Sequence, residues 1–404
     1  MAETQRYDVV IVGGGIAGSA LALALSGQGL SLAVVEARAL AEETLPEDIG
    51  LPHFDPRVVA LNPQSQALLQ GWGAWSGVAG YRHCAYRHMT VWDADGTGRI
   101  DFDCRELATG ALGHIVENRA LLQSLLRPLQ RCADVRLLAP ERLHSCERVA
   151  SGTQVTLDSG LVLEASLLVA ADGGESRVRQ LMGFRTREWD YGQHAIVATV
   201  RLEHDHAATA WQRFLPTGPL AFLPLPGAQG HYCSIVWSLQ SDGLGPLMEL
   251  PDAAFCEALG AAFEHRLGAV TGCSRRFAFA LRQRHAVDYV QTGVALIADA
   301  AHTIHPLAGQ GINLGLQDVA VLAQEVIRAG QRGMSPGRIE VLQRYQRRRK
   351  SDNLLMMAAM EGFKRLFEQR ALSVRWLRNA GMRGVERAAP VKRMLMQRAM
   401  GLAD

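Results

Sequence analysis

The stretch that most constrains this chain runs from Asp8 to Glu36, DVVIVGGGIAGSALALALSGQGLSLAVVE. Val9 to Val12 supply a short apolar strand, and Gly13, Gly15 and Gly18 follow in GxGxxG spacing. In that spacing the first glycine permits a tight turn, the second lets the backbone approach a pyrophosphate, and the third lets helix and sheet pack closely. Ala17, Ala20, Leu21, Ala24 and Leu25 recur at helical spacing, Gly27 and Gly29 break the helix, and Leu32 to Val35 give the next strand. Glu36 ends that strand, placed to accept hydrogen bonds from ribose hydroxyls. Strand before, helix after and a carboxylate about 20 residues on is the context that distinguishes a dinucleotide cradle from a chance glycine string. The segment carries no charge between its ends, as a membrane span would, but its glycine density and the absence of a positively charged leader argue against a span or signal peptide.

A chain of 404 residues has room for two domains or one with a large lobe. Seven cysteines without a CxxC pair suit a reducing compartment, which points to the cytoplasm. The net charge of +2 conceals an asymmetry. Residues 331–404 hold 17 Lys+Arg against 6 Asp+Glu, a net of +11, which leaves −9 for residues 1–330. The basic end is expected either to meet an acidic surface, such as anionic lipid or a partner protein, or to carry solvated helix faces. Nothing in the pattern calls for nucleic acid.

Further along, a helix is expected from about Pro63 to Trp75, a hairpin around Asp95-Gly96, a strand at His114–Val116, and a helix from an Asn118 N-cap to about Arg131. Val135–Leu138, Thr153–Leu157 and Val162–Ala170 read as strands, and strand signals dominate from Ala195 to Leu239. Helix returns at Asp252–Leu267 and strand at Phe277–Arg284 and Val294–Ala298. The remainder reads as helices over about Asn313–Ala329, Gly337–Glu368 and Leu372–Arg378. Met356, Met360, Phe363 and Phe367 form one apolar stripe, expected as core or, given flanking Arg347, Arg348, Arg349, Lys350, Lys364 and Arg365, as a surface for a membrane or partner helix.

Two more strings sharpen the reading. In LLVAADGGESRVR a buried strand ends at Asp172-Gly173, with a helix beginning near Ser176. In ALIADAAHTIHPLAGQGINLGLQD a strand ends at Asp299, a proline-containing loop follows, and Gly309-Gln310-Gly311 leads into a helix. A carboxylate at such a strand end can hold a sugar-alcohol hydroxyl, and amides at a helix start can stabilise negative charge on a bound ring. His302 and His305 invite a metal reading, but the run supplies no third ligand.

These three strings in this order resemble the class A FAD-dependent aromatic hydroxylases of the para-hydroxybenzoate hydroxylase fold. The resemblance spans nearly the whole chain. It implies an α/β fold, a Rossmann-like FAD-binding domain with an inserted, mostly antiparallel β-sheet substrate domain and a helical C-terminal segment. The expected pieces are 1–82, 118–190 and 286–330 for FAD binding, 83–117 and 191–285 for the substrate sheet, and 331–404 for the basic helices. By the same resemblance Gly13, Gly15 and Gly18 hold the FAD pyrophosphate and Glu36 the adenosine ribose. Arg57 and Arg119 lie near the phosphates and ribityl chain, Val135 offers its backbone to adenine, and Asp172 and Gly173 serve both FAD and NAD(P)H. Asp299 binds the ribityl chain. Ala298 replaces the family's usual glycine, and its methyl is expected to crowd that chain slightly. Pro306, Gly309, Gln310, Gly311, Ile312 and Asn313 would wrap the flavin ring, with Phe222 and Leu223 as the opposite, substrate-facing wall; ordinary sheet core is the alternative for the latter pair.

MTVWDADGTGRIDF, LGHIVENR, HYCSIVWSL and the terminal QRAMGL resemble the ubiquinone-biosynthesis branch, most closely its 2-polyprenylphenol hydroxylases. The resemblance implies hydroxylation of a prenylated phenol by molecular oxygen through a flavin C4a-hydroperoxide, after reduction by NAD(P)H. From their charge and amphipathicity, the basic C-terminal helices are expected to bring such an enzyme to a membrane-held substrate, at the inner face of the membrane, or into an assembly with other ubiquinone-biosynthesis proteins. No Ser-His-Asp or paired-carboxylate arrangement stands out, so no catalytic acid or base is assigned. The alternatives are hydroxylation of a later ubiquinone precursor, another flavoenzyme on the same fold such as a halogenase or prenyl-lipid reductase, and a non-catalytic flavin-bound scaffold.

Overall fold

A computed structural model describes residues 4–40, 44–46, 50–304, 310–369 and 371–402. Its first sheet is built on the runs of apolar residues that a strand buried on both faces requires. The strands β1 (Gln5–Val12), β2 (Leu32–Val35), β8 (Val135–Leu138), β11 (Val162–Ala170) and β19 (Val294–Leu296) run parallel in the order β19-β11-β1-β2-β8. Every residue of β2 and the last four of β1 and β11 are buried. β9 (Leu143–Val149) and β10 (Gly152–Leu157) add an antiparallel extension to the first half of β11, and β18 (Val290–Gln291) pairs with β19.

The second sheet is mostly antiparallel, in the order β20-β17-β12-β15-β14-β13-β5-β6. Its members are β20 (His302–Thr303), β17 (Phe277–Ala286), β12 (Thr186–Leu202), β15 (Tyr232–Gln240), β14 (Gly218–Leu225), β13 (Thr209–Leu215), β5 (His88–Asp93) and β6 (Arg99–Asp103), with β16 (Val270–Cys273) paired to β12. β12 starts well before the expected Ala195. Its first residues pair with β17 as far as Asp190, and a bulge between Asp190 and Gln193 resets the register. β3 (Val58–Leu61), β7 (Gly113–Glu117) and β4 (His83–Tyr86) form a separate small sheet. The segment 83–117 is therefore divided, with only β5 and β6 joining the large sheet.

The helices are α1 (Ile16–Leu25), α2 (Pro63–Gly71), α3 (Trp75–Ala79), α4 (Asn118–Leu129), α5 (Arg177–Leu181), α6 (Ser241–Glu249), α7 (Asp252–Ala262), α8 (Gly311–Gly330), α9 (Ile339–Glu368), α10 (Leu372–Arg387) and α11 (Ala389–Ala399). The helix expected from Pro63 to Trp75 is interrupted because Gly73 takes a left-handed φ of +75°. Glu117 rather than Asn118 stands at the N-cap of α4. α1 packs against α4 and α8, and α8 against α9, which covers the parallel sheet and closes the main core.

α10 extends beyond the expected Arg378, and α11 follows it. What fixes α10 is a buried charge pair on the β5–β6 hairpin. Asp93 accepts from Arg378 through Nε at 2.7 Å and Nη2 at 2.9 Å, and from Asn379 Nδ2 at 2.7 Å. Asp93 and Arg378 are both almost fully buried. Asp93→Ala should therefore strand a buried guanidinium and cost about 3–5 kcal/mol. Denaturant unfolding checks this, and Asp93→Ala combined with Arg378→Met should recover part of the loss.

Candidate functional site

The five parallel strands all end on one edge, the place where open α/β sheets bind ligands. Gly13 leaves β1 at φ +106°, and a side chain there would press within 2.3 Å of the Ala171 carbonyl oxygen. The first and second glycine-containing strings thus abut through backbone. A Cβ at Gly18 would lie 1.8 Å from the Gly13 carbonyl oxygen, so α1 sits as close to the loop as backbone permits. A Cβ at Gly15, by contrast, would meet nothing within 4 Å. Gly15 is also the N-cap of α1, which has no side-chain cap, leaving first-turn amides available to an anion. Glu36 accepts from the Gly14 amide at 2.7 Å and from the Arg38 amide at 3.0 Å, which aligns its carboxylate along the loop.

At the end of β11, one Asp172 oxygen accepts the amides of Arg177 at 2.7 Å and Val178 at 3.1 Å, the opening of α5. Its other oxygen, Oδ1, is buried without a partner. Burial raises the Asp172 pKa, against the lowering effect of hydrogen bonds from Ser176, Val178 and Arg177. Gly173 is left-handed at φ +80° with open space beside it. Arg179, buried in α5, donates to the carbonyls of Ala300 at 2.9 Å and Gly174 at 2.7 Å, and so joins this string to the third. Nothing in the local sequence around Arg179 marks it for this role, because both its partners are backbone carbonyls.

The third string depends on a buried carboxylate. Asp318, in α8, accepts from the Ala298 amide at 3.0 Å, His302 Nε2 at 2.5 Å, Arg349 Nε at 2.8 Å and Asn353 Nδ2 at 3.3 Å. Burial alone would raise its pKa, but His302 and Arg349 overcome that and hold it at about 2. An ionised carboxylate only accepts, so His302 carries its proton on Nε2. His302 Nδ1 is buried without a partner. Among the described residues no group of three or more His, Cys, Asp or Glu could hold a metal ion. Ala298 adopts a left-handed φ of +51°, the conformation glycine would take without strain. Its methyl faces α8, where a Cβ at Gly315 would lie 2.9 Å from it. The expected crowding of the ribityl chain is corrected accordingly: the notch at Gly315 receives the methyl. Asp299 then projects at the surface of the edge, accessible to solvent yet densely surrounded by protein, as a group on a cleft wall is. That crowding raises its pKa, while His302 and Arg57 pull it down.

Other expected positions divide. Arg57 is exposed and close enough to act on the Asp299 charge. Arg119 instead donates to Glu117 at 3.0 Å and to the His53 carbonyl, in a network that includes Arg82 and Glu117 at 2.6 Å. Val135 opens β8 beside Leu32, at the amino end of the parallel strands, about 10 Å from the cradle edge at 3.3 Å per residue. Its assignment to adenine is corrected, because at the cradle end this strand offers Leu138, whose carbonyl accepts the Glu36 amide at 3.0 Å. Gln310 is the N-cap of α8, without a side-chain cap bond, and Gly311 and Ile312 open the helix. Asn313 is buried and its side chain is committed: Oδ1 accepts from the Asn62 amide at 3.0 Å and Ser65 Oγ at 2.7 Å, and Nδ2 donates to the Ala60 carbonyl at 2.9 Å. Only its backbone remains for a ligand. His305, Pro306 and Gly309 lie outside the described residues. Phe222 is fully buried and stacks on Phe263 with centroids 3.8 Å apart, against α7. Its place in the substrate wall is corrected to core. Leu223, one residue on, points to the opposite face and packs against the cluster of Phe54, Ile115, Leu225 and Tyr232, as do Val58, Ala60 and Tyr86.

These residues fit FAD. The glycine loop is open where a pyrophosphate would lie, Asp172 has a buried oxygen without a partner, and α1 and α8 both begin uncapped at the same edge. A family model described as "FAD binding domain" matches residues 6–357. The chain belongs to this family, and it is an FAD- and NAD(P)H-dependent aromatic-ring monooxygenase. Within the family it falls in the ubiquinone-biosynthesis branch. It is 37% identical over 398 residues to a 3-demethoxyubiquinol 3-hydroxylase of Escherichia coli, covering 98% of this chain and 99% of that one. It is 39% identical over 394 residues to the ubiquinone hydroxylase UbiL of Rhodospirillum rubrum, covering 98% and 89%. Among solved structures, PqsL of Pseudomonas aeruginosa superposes with a TM-score of 0.77 at 24% identity, covering 94% of this chain and 100% of that one. The p-nitrophenol 4-monooxygenase PnpA of Pseudomonas putida gives 0.77 at 18%, covering 98% of each. These two likenesses bear on the fold alone.

Gly15→Val is expected to fill the open space and abolish flavin retention, read as loss of visible absorbance in the purified protein. Gly18→Ala should instead cost stability, about 1–3 kcal/mol, by overpacking. The site also carries a pH signature. Burial first, then the charges of His302, Lys350 and Arg187, press the His285 pKa down to about 4 from the ordinary 6.5. Between those values the unfolded chain binds a proton that the folded one refuses, so stability falls as pH drops from 6.5 to 4. Asp318 acts lower, its stabilisation being lost only as pH falls from the ordinary carboxylate range toward 2. Unfolding midpoints measured across this range should decline before the carboxylates titrate, and less steeply in His285→Asn.

Proposed function

We propose that this enzyme hydroxylates the ring of a polyprenylated phenol on the route to ubiquinone. Support comes from the edge of the parallel sheet that gathers Gly15, Asp299 and the start of α8, open beside Gly15 and begun by two uncapped helices. FAD, when bound, supplies oxygen activation after reduction by NAD(P)H. The chain supplies binding, orientation and dryness. In this reading the Gly13–Gly18 backbone and the amides of α1 take the pyrophosphate, and Glu36 takes the adenosine ribose. Asp299 accepts from a ribityl hydroxyl, with His302 and then Arg57 opposing the rise that burial imposes on its pKa. The amides of Gly311, Ile312 and Asn313, at the positive end of α8, stabilise negative charge on the ring system. Asp172 and Gly173 serve the FAD side and the approach of NAD(P)H. Leu223, Val58, Ala60 and Tyr86 line an apolar wall that excludes water from the reacting centre. An electron-rich phenol ring needs no side-chain nucleophile.

A second reading, hydroxylation of a later quinol precursor, is favoured by the end-to-end similarity to a protein named for 3-demethoxyubiquinol. Assembly with sibling enzymes of the pathway belongs to either reading. Mass analysis of the prenylated precursor that accumulates when the protein is absent separates the two: a ring without the early oxygen supports the first, a demethoxyquinol the second. In the same background Asp299→Ala should restore neither hydroxylation nor full flavin content. Restoration of both would remove Asp299 from the site.

A further inference from the structure

We propose that the cleft between the carboxyl half of α8 and the first third of α9 binds an organic polyphosphate, with its phosphates on Arg344, Arg347 and Arg348 and its flat apolar part against Trp72. The starting point is a charge count that does not close. A cavity of about 370 Å³ is lined by Gln324, Glu325, Arg328, Arg344, Arg347 and Arg348. Four guanidinium groups there meet one carboxylate, a net of +3.

Glu325 is buried and already engaged. Its Oε1 accepts from Arg328 Nη1 at 3.2 Å and Arg348 Nη1 at 3.0 Å, and its Oε2 accepts from Arg344 Nε at 2.8 Å. Burial would raise its pKa, but the hydrogen bonds from Arg344 and Arg348 and the charge of Arg328 hold it below the ordinary value, so it counts as one negative charge. Donors are left over. Arg344 Nη2 is buried without a partner, and the exposed Arg347 guanidinium meets no acceptor among the described residues. Glu340, on which the Arg344 charge also acts, is itself paired with Arg338 at 3.2 Å. The negative end of α8 accounts for Arg328 in its last turn, but about half a charge does not offset three more guanidinium groups on α9. Such a cluster repels itself until an anion completes it, and guanidinium forks match phosphate oxygens in pairs.

Shape selects the rest of the ligand. Gln324 and Arg328 also line an adjoining groove of about 500 Å³, walled by Ala24, Leu68, Trp72, Ala323 and Ile327. Trp72 caps the end of α2 and is only partly buried. An apolar groove with an indole wall, continuous with an excess of guanidinium groups, complements a molecule that is flat at one end and multiply anionic at the other, as a nucleoside diphosphate is. The site is separate from the cofactor cleft, because Glu325 stands about 21 Å along α8 from Gly311 at 1.5 Å per residue. It nevertheless uses the same pair of helices: two turns nearer the cradle, Asp318 and Arg349 join α8 to α9 at 2.8 Å. The inference holds whichever ring the enzyme hydroxylates.

The test is calorimetric titration of the FAD-saturated holoenzyme with ADP, and separately with pyrophosphate, at about 0.15 M salt. ADP is expected to bind at a single site and pyrophosphate more weakly. Arg347→Gln removes an exposed, unpaired side chain and should leave the fold intact; it and Arg348→Gln should each weaken ADP about tenfold. Trp72→Leu should weaken ADP and leave pyrophosphate unchanged. The rate of flavin reduction by NAD(P)H should be unaltered in both arginine variants, which separates this site from the approach of the reductant. No ADP binding to the holoenzyme, equal binding in the arginine variants, or an equal response to sulfate overturns the inference. So does displacement of ADP by an acidic peptide that binds more tightly, which would give the arginines to a protein partner.

Discussion

A single buried carboxylate, Asp318, organises the chemistry-bearing edge. It is ionised in a place without water, and that is tolerable only because Arg349, His302, Asn353 and the Ala298 amide all direct donors at it. Those donors come from α9, from the strand and loop after β19, and from α9 again, so the same four bonds clamp three elements. The turn that presents Asp299 is held left-handed by one of them. Removing the carboxylate would leave Arg349 without its deepest partner and release the turn together.

The opposite side of the edge depends on contact distance rather than charge. Gly13 and Gly18 are required because neighbouring carbonyls stand where a side chain would be, whereas Gly15 borders open space. The same residue type thus serves packing at two positions and access at the third. Arg179 then ties the second string to the third through two backbone carbonyls, so that the loop after β11 and the turn that carries Asp299 are not free to drift apart. In the inserted sheet, Leu223 packs on the cluster of Phe54, Ile115, Leu225 and Tyr232, while Phe222 anchors the other face to Phe263 at the end of α7.

The C-terminal helices divide the apolar stripe of α9 in the same way. Phe367 is buried, stacked on Phe214 with centroids 3.8 Å apart, and Met360 packs in the same cluster. Phe363 is 47% exposed. One helix therefore contributes both to the core and to an unpartnered face, and α10 is pinned beneath by the Asp93–Arg378 pair.

The glycine spacing, the strand-terminal Asp172 and Asp299 and the helix starts were all legible in the chain, because each is a local device: a turn, a strand end and a helix end occupy a few consecutive residues. The α/β class followed from the same segments. What local pattern could not supply was direction, parity and distance. Val135 lies in a true strand, but only the parallel pairing with β2 shows that it is at the wrong end. LAFLPLP is apolar on both faces, so no alternation distinguishes Phe222 from Leu223. Arg119 reads as a free cation until Glu117, two residues away in the chain, is folded beneath it. Ala298 looks like a blemish in a glycine position until Gly315 and Asp318, a full helix turn apart in α8, are brought against it. The sequence by itself determined the cofactor cradle and the type of fold, since backbone geometry at glycines and strand ends is short-range physics. Only the tertiary structure decided which charges are paired, which face of a strand looks inward and where the positive end of the chain lies bare, because those depend on residues hundreds of positions apart sharing one desolvated space.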